Sequence, residues 1–166
     1  MKKMIALCTA AVLCLSLLSA CAGKPAEEKK VDLAAFAQTV MENHEFTALD
    51  RVDPADQEVG AIMLENNYPG LKDMDLEQAE IYLAMISFSG GELALVQAKS
   101  PEDAAKVKEI FEARIDAKTT EGPGNYPEEV EMWLRSAKVA DNGSYVMLVN
   151  HPDSEAIVSE FEALFK

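Results

Sequence analysis

EIYLAMISF (Glu80–Phe88) and ELALVQA (Glu92–Ala98) flank Ser89-Gly90-Gly91, and SPED (Ser100–Asp103) follows almost at once. Both runs are apolar and of strand length. Glycine at both turn positions admits the positive φ angles that a tight hairpin needs. Ser100 then suits a helix N-cap, Pro101 the first helical position, and Glu102 and Asp103 the positive end of the helix dipole. The helix carries Ala104, Val107, Ile110, Phe111 and Ile115 on one stripe. Strand, turn, strand and capped helix make one unit.

A second unit of the same shape lies downstream. Ala137–Ala140, a turn at Asp141-Asn142-Gly143 and SYVMLVN (Ser144–Asn150) form its hairpin, with Asn-Gly as the turn signal. Pro152-Asp153-Ser154 opens its helix, whose stripe is Ile157, Val158, Phe161, Leu164 and Phe165. A two-stranded hairpin is marginal alone, and each helix has one apolar stripe to bury. Joining the hairpins satisfies both needs. The expected fold is α+β: an antiparallel sheet from two ββα units with helices on one face, preceded by one or two N-terminal helices. Asp32 is the expected cap of the first, with Leu33, Phe36, Ala37, Val40 and Met41 as its stripe; Pro54 suggests a second running to Met63. Thr119–Asn125 reads as a loop, and Tyr126-Pro127 leads into a short helix carrying Val130, Trp133 and Leu134.

The N-terminus speaks about location. Met1-Lys2-Lys3 is basic, and Met4–Leu18 holds no charge, proline or glycine. That run is short of the roughly 20 apolar residues a spanning helix needs, and it fits the apolar segment of a signal peptide. It closes on Leu18-Ser19-Ala20-Cys21, which matches the lipobox of bacterial lipoproteins. The expectation is cleavage after Ala20 and a diacylglyceryl group on the Cys21 sulfur, placing the domain on the outer face of the cytoplasmic membrane. Residues 21–30 then read as the lipidated cysteine and a flexible, charged tether, and 31–166 as one domain. Cys8 and Cys14 leave with residues 1–20, so no disulfide, thiolate metal site or cysteine nucleophile is expected in the remainder.

Charge excludes some partners. The chain carries a formal net charge of −14, and loss of Lys2 and Lys3 makes the remainder more acidic still. Nucleic acid and anionic headgroups both require positive charge, so no nucleic-acid partner is expected, and the membrane is met through Cys21 alone.

LENNYPGLKD (Leu64–Asp73), ELALVQAKSPED (Glu92–Asp103), IFEARIDAK (Ile110–Lys118), the YPE segment at Tyr126 and NGSYVMLV (Asn142–Val149) together resemble the family described as domain of unknown function 4358. The resemblance runs from about Leu33 to the C-terminus. It implies a short lipoprotein of a Gram-positive type of envelope, and it supplies no catalytic residues.

No constellation of residues points to a reaction or a cofactor. His44 and His151 stand far apart without a metal-ligand spacing, and read as surface or turn residues. Asp73, Asp75 and Glu77 alternate as in a calcium loop but lack its glycine and its twelfth-position acid. Ser87 has a strand-turn context rather than that of a nucleophile elbow. Arg114 differs: it falls seven residues after Val107, on the stripe that faces the sheet. Three readings stay open for it. It can lie along the edge with its stem buried, which is the ordinary outcome; it can pair with Glu92; or it can read an anionic ligand. Trp133, Tyr126 and Tyr68 read as minor-core packing or the lining of a groove. The expected role is a membrane-tethered, non-enzymatic binding or interaction module with an envelope protein or cell-wall partner. The alternatives are an envelope enzyme or enzyme inhibitor, and a transporter-associated solute-binding lipoprotein.

Overall fold

The computed structural model describes residues 29–56, 58–84, 91–120 and 126–166. The signal-peptide and Cys21 readings, the Ser89-Gly90 turn residues and most of the Thr119–Asn125 loop lie outside them. Helix α1 is Leu33–Asn43, strand β1 Leu49–Val52 and helix α2 Val59–Asn67. A 3-10 turn at Leu71–Asp73 precedes β2 (Leu76–Ala84) and β3 (Glu92–Ala98). Then come α3 (Pro101–Thr119), α4 (Pro127–Ser136), β4 (Ala137–Asn142), β5 (Tyr145–Asn150) and α5 (Ser154–Ala163). The strands form one antiparallel sheet in the order β1-β2-β3-β5-β4, so the fold is α+β and the two hairpins join through β3 and β5.

Local chemistry sets the helix starts. Asp32 caps α1 by accepting the Ala35 N–H at 3.0 Å, and Ser100 caps α3 by accepting the Asp103 N–H at 3.1 Å. Pro54 does not open a helix. Asp53 accepts the Ala55 N–H at 2.9 Å to make a turn, and the carboxylate of Asp56 receives the N–H groups of Glu58 and Val59 at 2.8 and 3.2 Å. Those bonds delay α2 to Val59 and leave Leu49–Val52 free to pair with β2 as an edge strand, an element the sequence did not suggest.

The second turn differs from expectation. In the second hairpin Asn142 is paired with Tyr145, so Gly143 and Ser144 are the turn residues. Gly143 has φ +58°, and glycine at the first of two turn positions is the type II′ preference, not the Asn-Gly arrangement. In the first hairpin Leu83 lies opposite Glu92. The turn between them, read at Ser89-Gly90-Gly91, falls largely outside the described residues.

The helices do not share one face. Leu93 and Leu95 of β3, with Tyr145, Met147 and Val149 of β5, pack against Phe36 and Val40 of α1 and Ile157 and Phe161 of α5. Ala94, Val96 and Ala98, with Val146 and Leu148, pack on the other side against Leu64 of α2, Tyr68, Val107 and Phe111 of α3 and Trp133 of α4. The molecule is therefore three-layered, helices–sheet–helices. The physical reason is the period of two along a strand: every position of a central strand can be apolar only if both faces are covered. Each such buried side chain contributes about 1.5–3 kcal/mol, so two half-cores serve a chain this size better than one.

The start of the domain is stitched to the sheet. Val31 donates its N–H to the Tyr145 hydroxyl at 3.0 Å, while Gln78 donates to the Val31 carbonyl at 2.8 Å and accepts the Leu33 N–H at 3.0 Å. Among the described residues no helix is long and apolar enough to cross a membrane.

Candidate functional site

Glu92 begins β3 at the end of the sheet covered by α3 and α4, and its side chain is only 3% exposed. A carboxylate so placed must be compensated or neutralised. Arg114, two turns beyond Val107 on α3, supplies the charge. Its Nε–H donates to Glu92 Oε1 at 3.0 Å and its Nη2–H to Oε2 at 2.8 Å, a forked pair. The Tyr68 hydroxyl also donates to Glu92 Oε1. The guanidinium lies 5.8 Å from the Tyr68 ring centre and 5.4 Å from that of Trp133, so two aromatic rings flank it. Of the three readings of Arg114, the structure brings it onto Glu92, with its side chain 11% exposed, rather than along the edge. Tyr68 and Trp133 are fully buried members of the same cluster. The indole Nε1 of Trp133 is buried without a hydrogen-bond partner among the described residues.

Burial pushes the Tyr68 hydroxyl pKa well above its usual value, and the Glu92 carboxylate adds to the effect. The consequence for stability has a definite sign. Between the unfolded tyrosine value of about 10 and the higher native value, unfolding releases a proton, so stability must fall as pH rises. Below that window Tyr68 contributes in full. Denaturant midpoints across this alkaline step should drop further for the wild type than for Tyr68→Phe, which has no proton to lose. Equal drops would contradict the placement of Tyr68.

The cluster fixes α4. Trp133 holds its middle over Arg114, and Lys118 at the end of α3 donates to the nearly buried Glu129 at 2.7 Å. Where α4 runs into β4 and β5 leaves towards α5, Ala137 and Asn150 are paired, and an open cleft of about 580 Å³ lies beside this junction. Tyr126, Met132 and Pro152 give it apolar surface, and Glu128, Arg135 and Glu155 give it charge. Tyr126 is 53% exposed despite its size. Such a mixture suits recognition of an amphipathic group.

A second polar cluster was missed by spacing rules. His44 ends α1 and His151 follows β5, and both are buried, not surface residues as expected. Their ring centres are 5.8 Å apart. His44 Nδ1 lies 3.2 Å from Asp153 Oδ2, and Nε2 lies 3.2 Å from Glu160 Oε1. The rings come from opposite ends of the chain, and only the packing of α1 against α5 brings them together. Asp75, by contrast, pairs with Lys99 at the surface, and the alternating acids at 73–77 make no cluster of ligands.

A three-layer α+β domain with a buried Glu–Arg pair under one helix, and an open cleft beside that helix, is the class of protein that these observations define. The family model described as Domain of unknown function (DUF4358) matches residues 52–151, so the chain belongs to that family. The match spans Tyr68, Glu92, Arg114 and Trp133. No curated protein and no solved structure matches.

Proposed function

We propose that this chain is a lipoprotein held on the outer face of the cytoplasmic membrane through Cys21, and that its domain is a non-enzymatic binding module. The lipobox Leu18–Cys21 after an uncharged apolar run supports the anchor. The observation that carries the binding role is the cleft beside α4, open to solvent on one side of a helix whose buried side carries Trp133 against Arg114. Its carboxylates Glu128 and Glu155, on a strongly acidic chain, favour a basic polypeptide segment of an envelope protein that presents an apolar side chain to Met132 and Tyr126.

A photoreactive side chain at Met132, activated in intact cells, should give one discrete crosslinked product. Glu128→Lys combined with Glu155→Lys should remove it while leaving the melting temperature within a few degrees, because both residues are exposed. Loss of the product with rising salt is expected for a charge-steered contact. Crosslinking that persists in the double variant would defeat this reading of the cleft.

A further inference from the structure

Two buried histidines, an aspartate and a glutamate meet where the end of α1 packs against the start of α5, on the face of the sheet opposite the Arg114 cluster. From their arrangement we propose that His44, His151 and Asp153 bind one divalent transition-metal ion of the zinc class. One ligand atom from each of the three lies within 4.8 Å of the others, close enough to surround a single ion.

Three features of the cluster point to a ligand. First, Asp153 occupies the N-cap position of α5, where an aspartate ordinarily accepts a backbone N–H of the first turn; its side chain makes no such bond. It faces His44 Nδ1 at 3.2 Å instead. Second, each histidine has an oxygen outside the ligand set at Nε2, while both Nδ1 atoms face Asp153 and are the coordinating nitrogens. His44 Nε2–H is directed at Glu160 Oε1 at 3.2 Å, and His151 Nε2–H donates to the Glu45 carbonyl at 3.1 Å. An oxygen on the far ring nitrogen is the usual outer partner of a metal-bound imidazole, since it fixes tautomer and ring orientation and raises ligand basicity. His151 Nδ1 now accepts the Asp153 backbone N–H at 3.0 Å, a bond the ion would displace. Third, Glu160 Oε2 is buried with no hydrogen-bond partner among the described residues, so its carboxylate is held for His44 at a cost in solvation.

The chemistry selects the ion. Two imidazole nitrogens and one carboxylate oxygen suit zinc and its first-row neighbours, whereas calcium and magnesium prefer oxygen alone. Three protein ligands leave a fourth position, and the Asp153 side chain, 60% exposed, gives solvent a way to it. An ion here would also tie the end of α1 to the β5–α5 connection.

The test uses the full-length chain, purified in detergent, stripped with a chelator and titrated with zinc by calorimetry. One equivalent should bind and raise the melting temperature, and cobalt in its place should give the visible absorption of a low-coordinate site. His44→Ala and His151→Ala should abolish stoichiometric binding, and Glu160→Gln should weaken it about tenfold or more, as loss of an outer partner does. Asp153→Asn, at an exposed side chain, keeps the test decisive should a histidine variant fail to fold; it too should lose the equivalent. Affinity should fall in acid, where protons compete for the imidazoles. Absence of binding, or weak binding of several ions unchanged by Asp153→Asn and Glu160→Gln, would overturn the proposal.

Discussion

Arg114→Ala should destabilise the domain by about 3–5 kcal/mol, the range for removing one partner of a buried ion pair. Glu92 is the reason. With the guanidinium gone, its nearly buried carboxylate keeps only the Tyr68 hydroxyl as a donor among the described residues. The flanking rings also lose the cation between them, a contact of about 0.5–2 kcal/mol that is included in that total. Arg114→Lys should recover little, because an ammonium cannot reproduce the forked contact to both oxygens. The pair Arg51–Glu80 provides an internal comparison. It has the same forked geometry, at 2.8 and 3.0 Å, but Arg51 is 46% exposed. Arg51→Ala should therefore cost no more than about 1 kcal/mol. Denaturant melts of the two variants read the difference directly. A loss below about 1 kcal/mol for Arg114→Ala would mean that the pair is solvated and that α4 is held by packing alone.

Much of the fold was legible because the local signals agree with one another. Ser100-Pro101-Glu102-Asp103 announces α3 through capping chemistry that does not depend on tertiary context, and ELALVQA and SYVMLVN read as strands from length and composition. The placement of helices on both faces was not read, although a signal existed. In β3 Leu93 to Val96 are all buried, and every residue of β5 is. Uninterrupted apolar strands belong to sheets covered on both sides, and the stripes of α3 and α5 could have been assigned to opposite layers on that ground. Strand β1 was hidden for a different reason. Its four residues include Asp50 and Arg51, and an edge strand with charged side chains has no alternation to detect.

The polar clusters divide in the same way. Arg114 was visible because helical spacing sets it on an apolar stripe, and Glu92 because it opens a strand. Which of the three roles Arg114 takes depends on Tyr68 and Trp133, brought in by α4 and by the segment after α2, and no local rule reaches that far. His44 and His151 fail every ligand-spacing rule because such rules assume both ligands on one element. Their meeting is a property of the α1–α5 packing, in which Phe36 and Phe161 lie 6.1 Å apart between ring centres.

Cys21→Ser carries the other large expected effect. Two acyl chains hold a protein stably, at roughly 0.8 kcal/mol for each buried CH₂, where a single chain is marginal and none leaves an acidic domain with no affinity for anionic headgroups. Val31, stitched to Gln78 and Tyr145, lies about ten residues from that cysteine, a length of chain that spans on the order of 30 Å at most. The domain can then stand clear of the surface with its cleft open to a partner. The central claim, attachment through this one thiol, is tested most directly by labelling cells with a fatty acid and fractionating them. The wild-type chain should carry the label and sediment with the membrane, and Cys21→Ser should lose the label and appear outside the membrane fraction. A Cys21→Ser chain that remains acylated and membrane-bound would contradict the account.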